Sequence, residues 1–216
     1  AIFGPMLLQL VGLLVLARLL TPADFGAVAI VTTIAEFATL PLVGAGLSSY
    51  VVHIPAIDQS HVSTVFWINA VLGVVLGAAV FLCAGSIAGL FNDPRLAPLI
   101  AVSAIGCLLN IGATHLGLLQ RDYRFRTIAL IDVATMLATQ IGAILLAIFD
   151  FGPFAIVLAR LVGISIQVVL YFGVTRWRPS FTVDLKALAE IWRYARHVLG
   201  FNLLTFWSRN LDNVII

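Results

Sequence analysis

Apolar runs of bilayer length, recurring along the whole chain, constrain this sequence more than any other feature. A hydrocarbon core about 30 Å thick needs roughly 20 apolar residues per helical crossing, and a helix is the only element that closes its backbone hydrogen bonds within one such run. Six crossings and the start of a seventh are read at about Ile2–Leu20, Gly26–Val52, Val62–Leu90, Leu96–Leu119, Thr127–Phe149, Phe154–Val174 and from near His197 onward. They are separated by TPADFG at 21–26, HIPAIDQSH at 53–61, FNDPR at 91–95, RDYRFR at 121–126 and DFGP at 150–153. Each of these carries the Pro, Gly, Asp or Asn that stops a helix. The fold class expected is all-α, a polytopic membrane bundle. The expected organisation is a six-helix unit over residues 1–175, an amphipathic linker over 176–196 and a truncated seventh span over 197–216.

Composition supports the solvent assignment, with 62% hydrophobic and 10% charged residues and a mean hydropathy of +1.11. A net charge of +2 is too small to point to nucleic acid. Cys83 and Cys107 both fall inside apolar runs and read as small hydrophobes, with no disulfide or zinc role. No His, Cys, Asp or Glu spacing suits a metal, no Ser/His/Asp or paired-carboxylate pattern suits catalysis, and no glycine loop suits a phosphate cofactor. The chain is therefore read as a non-enzyme without cofactor.

Basic residues orient the spans. The exits of the even-numbered spans and their flanks hold Arg121, Arg124, Arg126, Arg176, Arg178, Lys186, Arg193 and Arg196, whereas the odd-numbered exits hold only Arg18 and Arg95. This places the even exits, and the N-terminus, in the cytoplasm. HIPAIDQSH contributes two histidines and no Lys or Arg. In the linker, Asp184 suits a helix cap, and Leu185, Leu188, Ile191, Trp192 and Ala195 fall on one side, as in a helix lying in the headgroup plane. Gly73 with Gly77, and Gly85 with Gly89, form two GxxxG spacings that let neighbouring helices approach closely.

The polar residues inside the runs are the candidates for function, because a charge at the bilayer centre costs about 2.5–3.5 kcal/mol on insertion scales and must face a partner or a cavity. Helical spacing aligns Thr32, Glu36 and Thr39 in the second span; Asp132, Thr135 and Thr139, with Gln140 beside them, in the fifth; Arg160, Gly163, Gln167 and Tyr171 in the sixth; and Asn202, Thr205, Arg209 and Asp212 in the seventh. Asn69, Asn110 and His115 add weaker polar points. These stripes are expected to converge on one water-accessible space. Each has a structural alternative: Glu36 with Arg160 and Arg209 with Asp212 as ion pairs, Asp132 with Arg124 or Arg126, and Asn110 and His115 as satisfied packing groups.

The runs ARLLTPADFGAVAI at 17–30, LLQRDYRFRTIALID at 118–132, DFGPFAIVLARLVG at 150–163 and RNLDNVII at 209–216 together resemble the polysaccharide transport family. These are lipid-linked oligosaccharide and O-antigen flippases of the multidrug/oligosaccharidyl-lipid/polysaccharide exporter superfamily. The resemblance covers nearly the whole chain and implies a transporter of about twelve to fourteen helices in two six-helix lobes, of which this chain supplies the first and the opening of the second. It implies a bacterial cytoplasmic-membrane protein that flips an undecaprenyl-pyrophosphate-linked oligosaccharide by alternating access, with a coupling cation or proton. On that basis Arg160 and Arg209 are expected to meet the substrate's phosphates or acidic sugars, since guanidinium donors bind phosphate oxygens in pairs. Glu36, Asp132 and Asp212 would balance those charges or take up the coupling ion, with Gln167 and Asn202 lining the same cleft. The alternatives are a multidrug or cation antiporter of the same superfamily, disfavoured by the two arginines, and a membrane-embedded glycan polymerase or ligase, disfavoured by the short outer loops.

Overall fold

The computed structural model describes residues 3–44, 51–52, 58–181, 188 and 191, and every regular element among them is helical. In chain order these are α1 (Phe3–Leu19), α2 (Pro22–Gly44), α3 (Gln59–Leu90), α4 (Leu96–Ser103), α5 (Ile105–Leu108), a 3₁₀ turn (Leu109–Ile111), α6 (Gly112–Arg121), α7 (Phe125–Ile148) and α8 (Phe154–Thr175). Among the described residues, four stretches are long and apolar enough to cross a membrane: Gln59–Leu90, Leu96–Arg121, Phe125–Ile148 and Phe154–Thr175. Their outer faces carry exposed large apolar side chains, such as Val74, Phe81 and Leu82 on α3 and Leu130, Ile141 and Leu145 on α7. A water-soluble fold would bury such rows; in a bilayer they meet acyl chains.

Two helices, α2 and α3, start well before their apolar runs. α2 begins at Pro22 and not at Gly26, because TPAD is a cap as well as a turn. The Thr21 amide donates to the Asp24 carboxylate at 3.0 Å, and the Asp24 amide donates back to the Thr21 hydroxyl oxygen at 3.3 Å. This reciprocal pair satisfies two free amides of the first turn, and Pro22 sits where its missing N–H costs nothing. α3 likewise begins at Gln59, three residues before Val62, because the Asp58 carboxylate accepts from the Gln59 amide at 2.8 Å and the Ser60 hydroxyl at 2.7 Å. The Ser60 hydroxyl, with the Gln59 amide, holds that carboxyl below its ordinary range.

Helix ends fall where the turn residues predict. Asn92, Tyr123 and Asp150 take positive φ of 52°, 54° and 59°. Each is followed by an amide that returns to the last turn: Asp93 to the Ala88 carbonyl at 3.3 Å, Arg124 to Leu119 at 2.9 Å and Phe151 to Leu146 at 3.2 Å. These closures satisfy carbonyls that the helix leaves open.

α8 is the centre of the assembly, packing against α7 on one side and against α4 and α6 on another; α2 packs on α3 and α4, and α1 on α7. Near the start of α8, Ala155 and Ala159 meet Ala143 and Ala147 of α7 and Leu16 and Leu20 at the end of α1, so small residues set that close approach. Ala27, Val31, Ala84, Ala88, Leu96, Leu99, Ile100 and Val157 bring α2, α3, α4 and α8 into one apolar cluster.

The fourth span is interrupted at Ala104 and again by the 3₁₀ turn. Gly106, Asn110 and Gly112 weaken its helical preference, and the Ser103 hydroxyl donates to the Ile100 carbonyl at 2.8 Å, a contact that bends helices. The bent segment presses its carbonyls onto α3. A Cβ on Gly73 would lie 2.6 Å from the Cys107 carbonyl oxygen, and one on Gly77 would lie 3.1 Å from that of Ala104. Gly85 and Gly89 have no such neighbour. Of the two GxxxG spacings, the first therefore serves a helix contact.

Gly73→Ala should cost about 1–3 kcal/mol by overpacking against backbone, whereas Gly85→Ala should stay within about 0.5 kcal/mol of wild type or gain from helix propensity. Unfolding of the purified protein in mixed micelles measures the difference.

Candidate functional site

The stripe on α2 meets the stripe on α8. The Thr32 and Thr39 hydroxyls donate to their own helix at the Val28 and Ala35 carbonyls, 2.8 and 2.9 Å away. Glu36, between them, reaches α8: its Oε1 lies 3.5 Å from Arg160 Nη2, with the side chains 63% and 43% exposed respectively. The ion pair weighed as an alternative for these residues is formed, but at the long end of contact and in the open. Arg160 also lines two hollows that share Thr39, Gly106, Arg160 and Ile164 as common wall. The smaller, of about 70 Å³, reaches Thr32 and Ser103. The larger, of about 290 Å³, runs past Asn110, Gln167 and Tyr171. Spans two, four and six thus contribute polar side chains to these two adjoining hollows.

Asp132 sits beside this groove and not with the loop arginines. Its Oδ1 accepts from Gln167 Nε2 at 3.0 Å and from the Tyr171 hydroxyl at 3.4 Å, and Gln167 and Tyr171 lie 3.4 Å apart. Arg124 instead donates to the Val174 carbonyl at 3.5 Å, capping α8. The rest of the α7 stripe leaves the groove: Thr139 packs directly on Gly163, and Gln140 donates to the Gln9 carbonyl at 3.5 Å and lies against Gly12. Thr139, Gly163 and Gln140 therefore join helices, while Arg160, Gln167 and Tyr171 present chemistry. Asn202, Thr205, Arg209 and Asp212 lie outside the described residues.

His115 packs in an aromatic cluster, and Asn110 lines the larger hollow. His115 is 0% exposed, its ring 3.8 Å from that of Phe172 and 5.3 Å from that of Trp177. The backbones of Trp177 and Ile111 lie within reach of the ring, and the Asn110 Nδ2 has no hydrogen-bond partner among the described residues. Asn69 Nδ2 donates to Thr114 Oγ1 at 3.3 Å, and its Oδ1 is unpartnered. The one-turn spacing of Asn110 and Thr114, with Asn69 one turn before Gly73 on the facing helix, is the sequence signal for this buried polar patch. Among the described residues no group of His, Cys, Asp and Glu could hold a metal ion.

The basic residues also find places. Arg121 Nη1 donates to the Val51 and Val52 carbonyls at 3.2 and 3.4 Å, and Gln59 Nε2 donates to the Arg178 carbonyl at 2.8 Å. The exits of the second, fourth and sixth spans therefore gather at one end of the bundle, as alternate crossings require.

These features define a multi-pass helical membrane protein in which Arg160 lines a groove between alternate spans. The chain belongs to the polysaccharide biosynthesis protein family, which it matches over residues 15–216. It is 28% identical over 213 residues to the succinoglycan biosynthesis transport protein ExoT of Rhizobium meliloti, covering 97% of this chain and 42% of that protein. It is 27% identical over 214 residues to the lipopolysaccharide biosynthesis protein WzxC of Escherichia coli, covering 97% and 43%. The teichuronic acid biosynthesis protein TuaB of Bacillus subtilis is 26% identical over 162 residues, or 73% of this chain and 33% of that one. The chain thus spans less than half the length of these relatives. No solved structure matches it.

Gln167→Leu should remove the shorter of the two bonds to Asp132 and cost about 1 kcal/mol of stability, a low value because Asp132 is exposed. Adding Asp132→Leu should recover most of that loss, since no charged partner is then left over. A double-mutant cycle in detergent unfolding reads the coupling.

Proposed function

We propose that the chain is the first lobe of a transporter that flips a polyprenyl-pyrophosphate-linked oligosaccharide across the bacterial cytoplasmic membrane. Such a substrate has an anionic, hydroxyl-rich head and a long apolar tail, so passage needs a hydrated cationic cleft for the head while the tail stays in lipid. One observation carries the reading: Arg160 faces a groove that it shares with Thr39, Asn110, Gln167 and Tyr171, and its carboxylate partner lies at the long end of contact, 3.5 Å away. A guanidinium so placed is free to exchange Glu36 for phosphate oxygens, which it binds as a planar pair of donors at any physiological pH. Asn110, Gln167 and Tyr171 supply the amide and hydroxyl groups that meet sugar hydroxyls.

Glu36 balances Arg160 when the groove is empty, and Asp132, held by Gln167 and Tyr171, is the site for a coupling proton or cation. Arg209 and Asp212, which lie outside the described residues, are assigned to the same substrate head. Rocking of the two lobes about the bound head then alternates access between the membrane faces, with the basic exits of the even spans in the cytoplasm. Names among the relatives point the same way, to succinoglycan transport and to lipopolysaccharide biosynthesis. Arg160 weighs against the multidrug-antiporter alternative, because a cationic drug would meet a fixed positive charge in the groove. No enzymatic step is assigned.

Arg160→Ala and Arg209→Ala should each lower surface polysaccharide about tenfold or more, the loss of one charge-assisted hydrogen-bonded contact, with the protein still present in the membrane. Arg160→Lys should restore only part of the export, since a lysine keeps the charge without the fork of donors. Immunoblots of membranes beside a polymer assay decide it; wild-type polymer levels in both alanine variants would remove the arginines as substrate ligands.

A further inference from the structure

The chain does not leave the bundle where its sixth span, α8, stops. Arg176 takes a φ of +52°, which reverses direction at the end of α8, and Pro179 keeps the next residues out of helix. The segment Trp177–Phe181 then crosses the first turns of α3. The Trp177 indole donates to Gln59 Oε1 at 2.8 Å, and the Gln59 amide returns Nε2 to the Arg178 carbonyl at 2.8 Å. One turn on, Ser63 Oγ accepts from the Ser180 amide at 3.0 Å, and the two hydroxyl oxygens lie 2.9 Å apart. Another turn on, the Trp67 indole donates to the Ser180 carbonyl at 2.9 Å, and its ring stacks on that of Phe181 with centroids 5.2 Å apart. Gln59, Ser63 and Trp67 form one stripe of α3 at steps of four residues, and the segment is bonded to each in turn.

The contact also has depth. Inward, Trp177 packs edge-on against Phe66 and His115, with centroids 6.0 and 5.3 Å away. Outward, Arg178 Nη1 donates to the Phe172 carbonyl at 3.1 Å and closes the end of α8. His115 thus lies beneath the segment, joining it to the fourth span.

We infer that Trp177–Phe181 is a fixed strap that makes the exit of the sixth span part of the first lobe, so that the joint between lobes lies beyond Phe181 and not at Arg176, where the polar stretch starts. The docking stands on these contacts alone; its bearing on transport rests on the two-lobe reading proposed above. Motion of the second lobe would pull on α3 and the fourth span through the strap as well as on α8. The polar groove, bounded by α2, the fourth span and α8, would then move as one body.

Ser63→Cys with Ser180→Cys, in the full-length protein carrying Cys83→Ala, tests this in native membranes. The expected results are near-complete disulfide formation under mild oxidant, none in either single variant, and export unchanged within about twofold when the strap is locked. Cross-linking of only a minor fraction overturns the docking. Complete cross-linking with an export loss of about tenfold that reductant restores overturns the fixed strap and makes it a moving part. If deleting the protein leaves export untouched, the transport reading fails and the strap is judged on cross-link yield alone. Hydrogen exchange on the unmodified protein is independent of whether the cysteine pair folds: the Ser180 amide, bonded to Ser63 Oγ, should exchange as slowly as amides in the last turn of α8, and exchange at the rate of an unstructured peptide would contradict the strap.

Discussion

A cation inside a bilayer must have water, a counter-charge or both, because the hydrocarbon offers neither hydrogen bonds nor screening. Arg160 imposes that condition on this fold. Glu36 answers it in part from across the α2–α8 contact, and the groove between alternate spans answers the remainder. The bundle has its shape because α8 carries this residue on one side while its other side packs closely on α7. Alanines make that division possible: Ala155 and Ala159 let α7 and α1 close in near one end of α8, and Gly163 lets Thr139 do so further along.

The broken fourth span is the second half of the design. A straight helix through Leu96–Arg121 would run past α8 at constant distance. The interruption at Ala104 and the 3₁₀ turn at Leu109–Ile111 push the chain onto Gly73 and Gly77 of α3. The same bent region turns Gly106, Asn110 and Gly112 to the groove. Close contact on one side and an opening on the other are consequences of one bend. The same span continues to His115, where an aromatic cluster links it to α3, α8 and the strap.

Legibility in the sequence followed the range of the forces involved. Helix ends were readable because Asn92 and Asp150 announce a left-handed turn by themselves. The face shared by Arg160, Gln167 and Tyr171 was readable because helical period alone brings them into line. The apolar run alone starts α2 too late, because Pro22 looks like a stop in sequence while Thr21 and Asp24 make it a beginning. The sorting of α7 residues was out of reach: Thr139, Gln140 and Asp132 look alike in sequence, and only their neighbours on α1 and α8 separate packing from chemistry. The strap was equally hidden, since RWRPSF reads as a polar linker until Gln59, Ser63 and Trp67 are seen beneath it.

Binding of an anionic head at Arg160 requires that water reach the groove around that residue. Single cysteines at Ile164 and Val168, which line it, and at Val74, which is exposed on the outer face of α3, can be compared for reaction with a water-soluble, membrane-impermeant thiol reagent in intact membranes. Ile164→Cys and Val168→Cys should react and Val74→Cys should not, although Val74 is the more exposed side chain, because its surroundings are lipid. Groove cysteines as unreactive as Val74→Cys would mean that the polar stripes enclose no aqueous space.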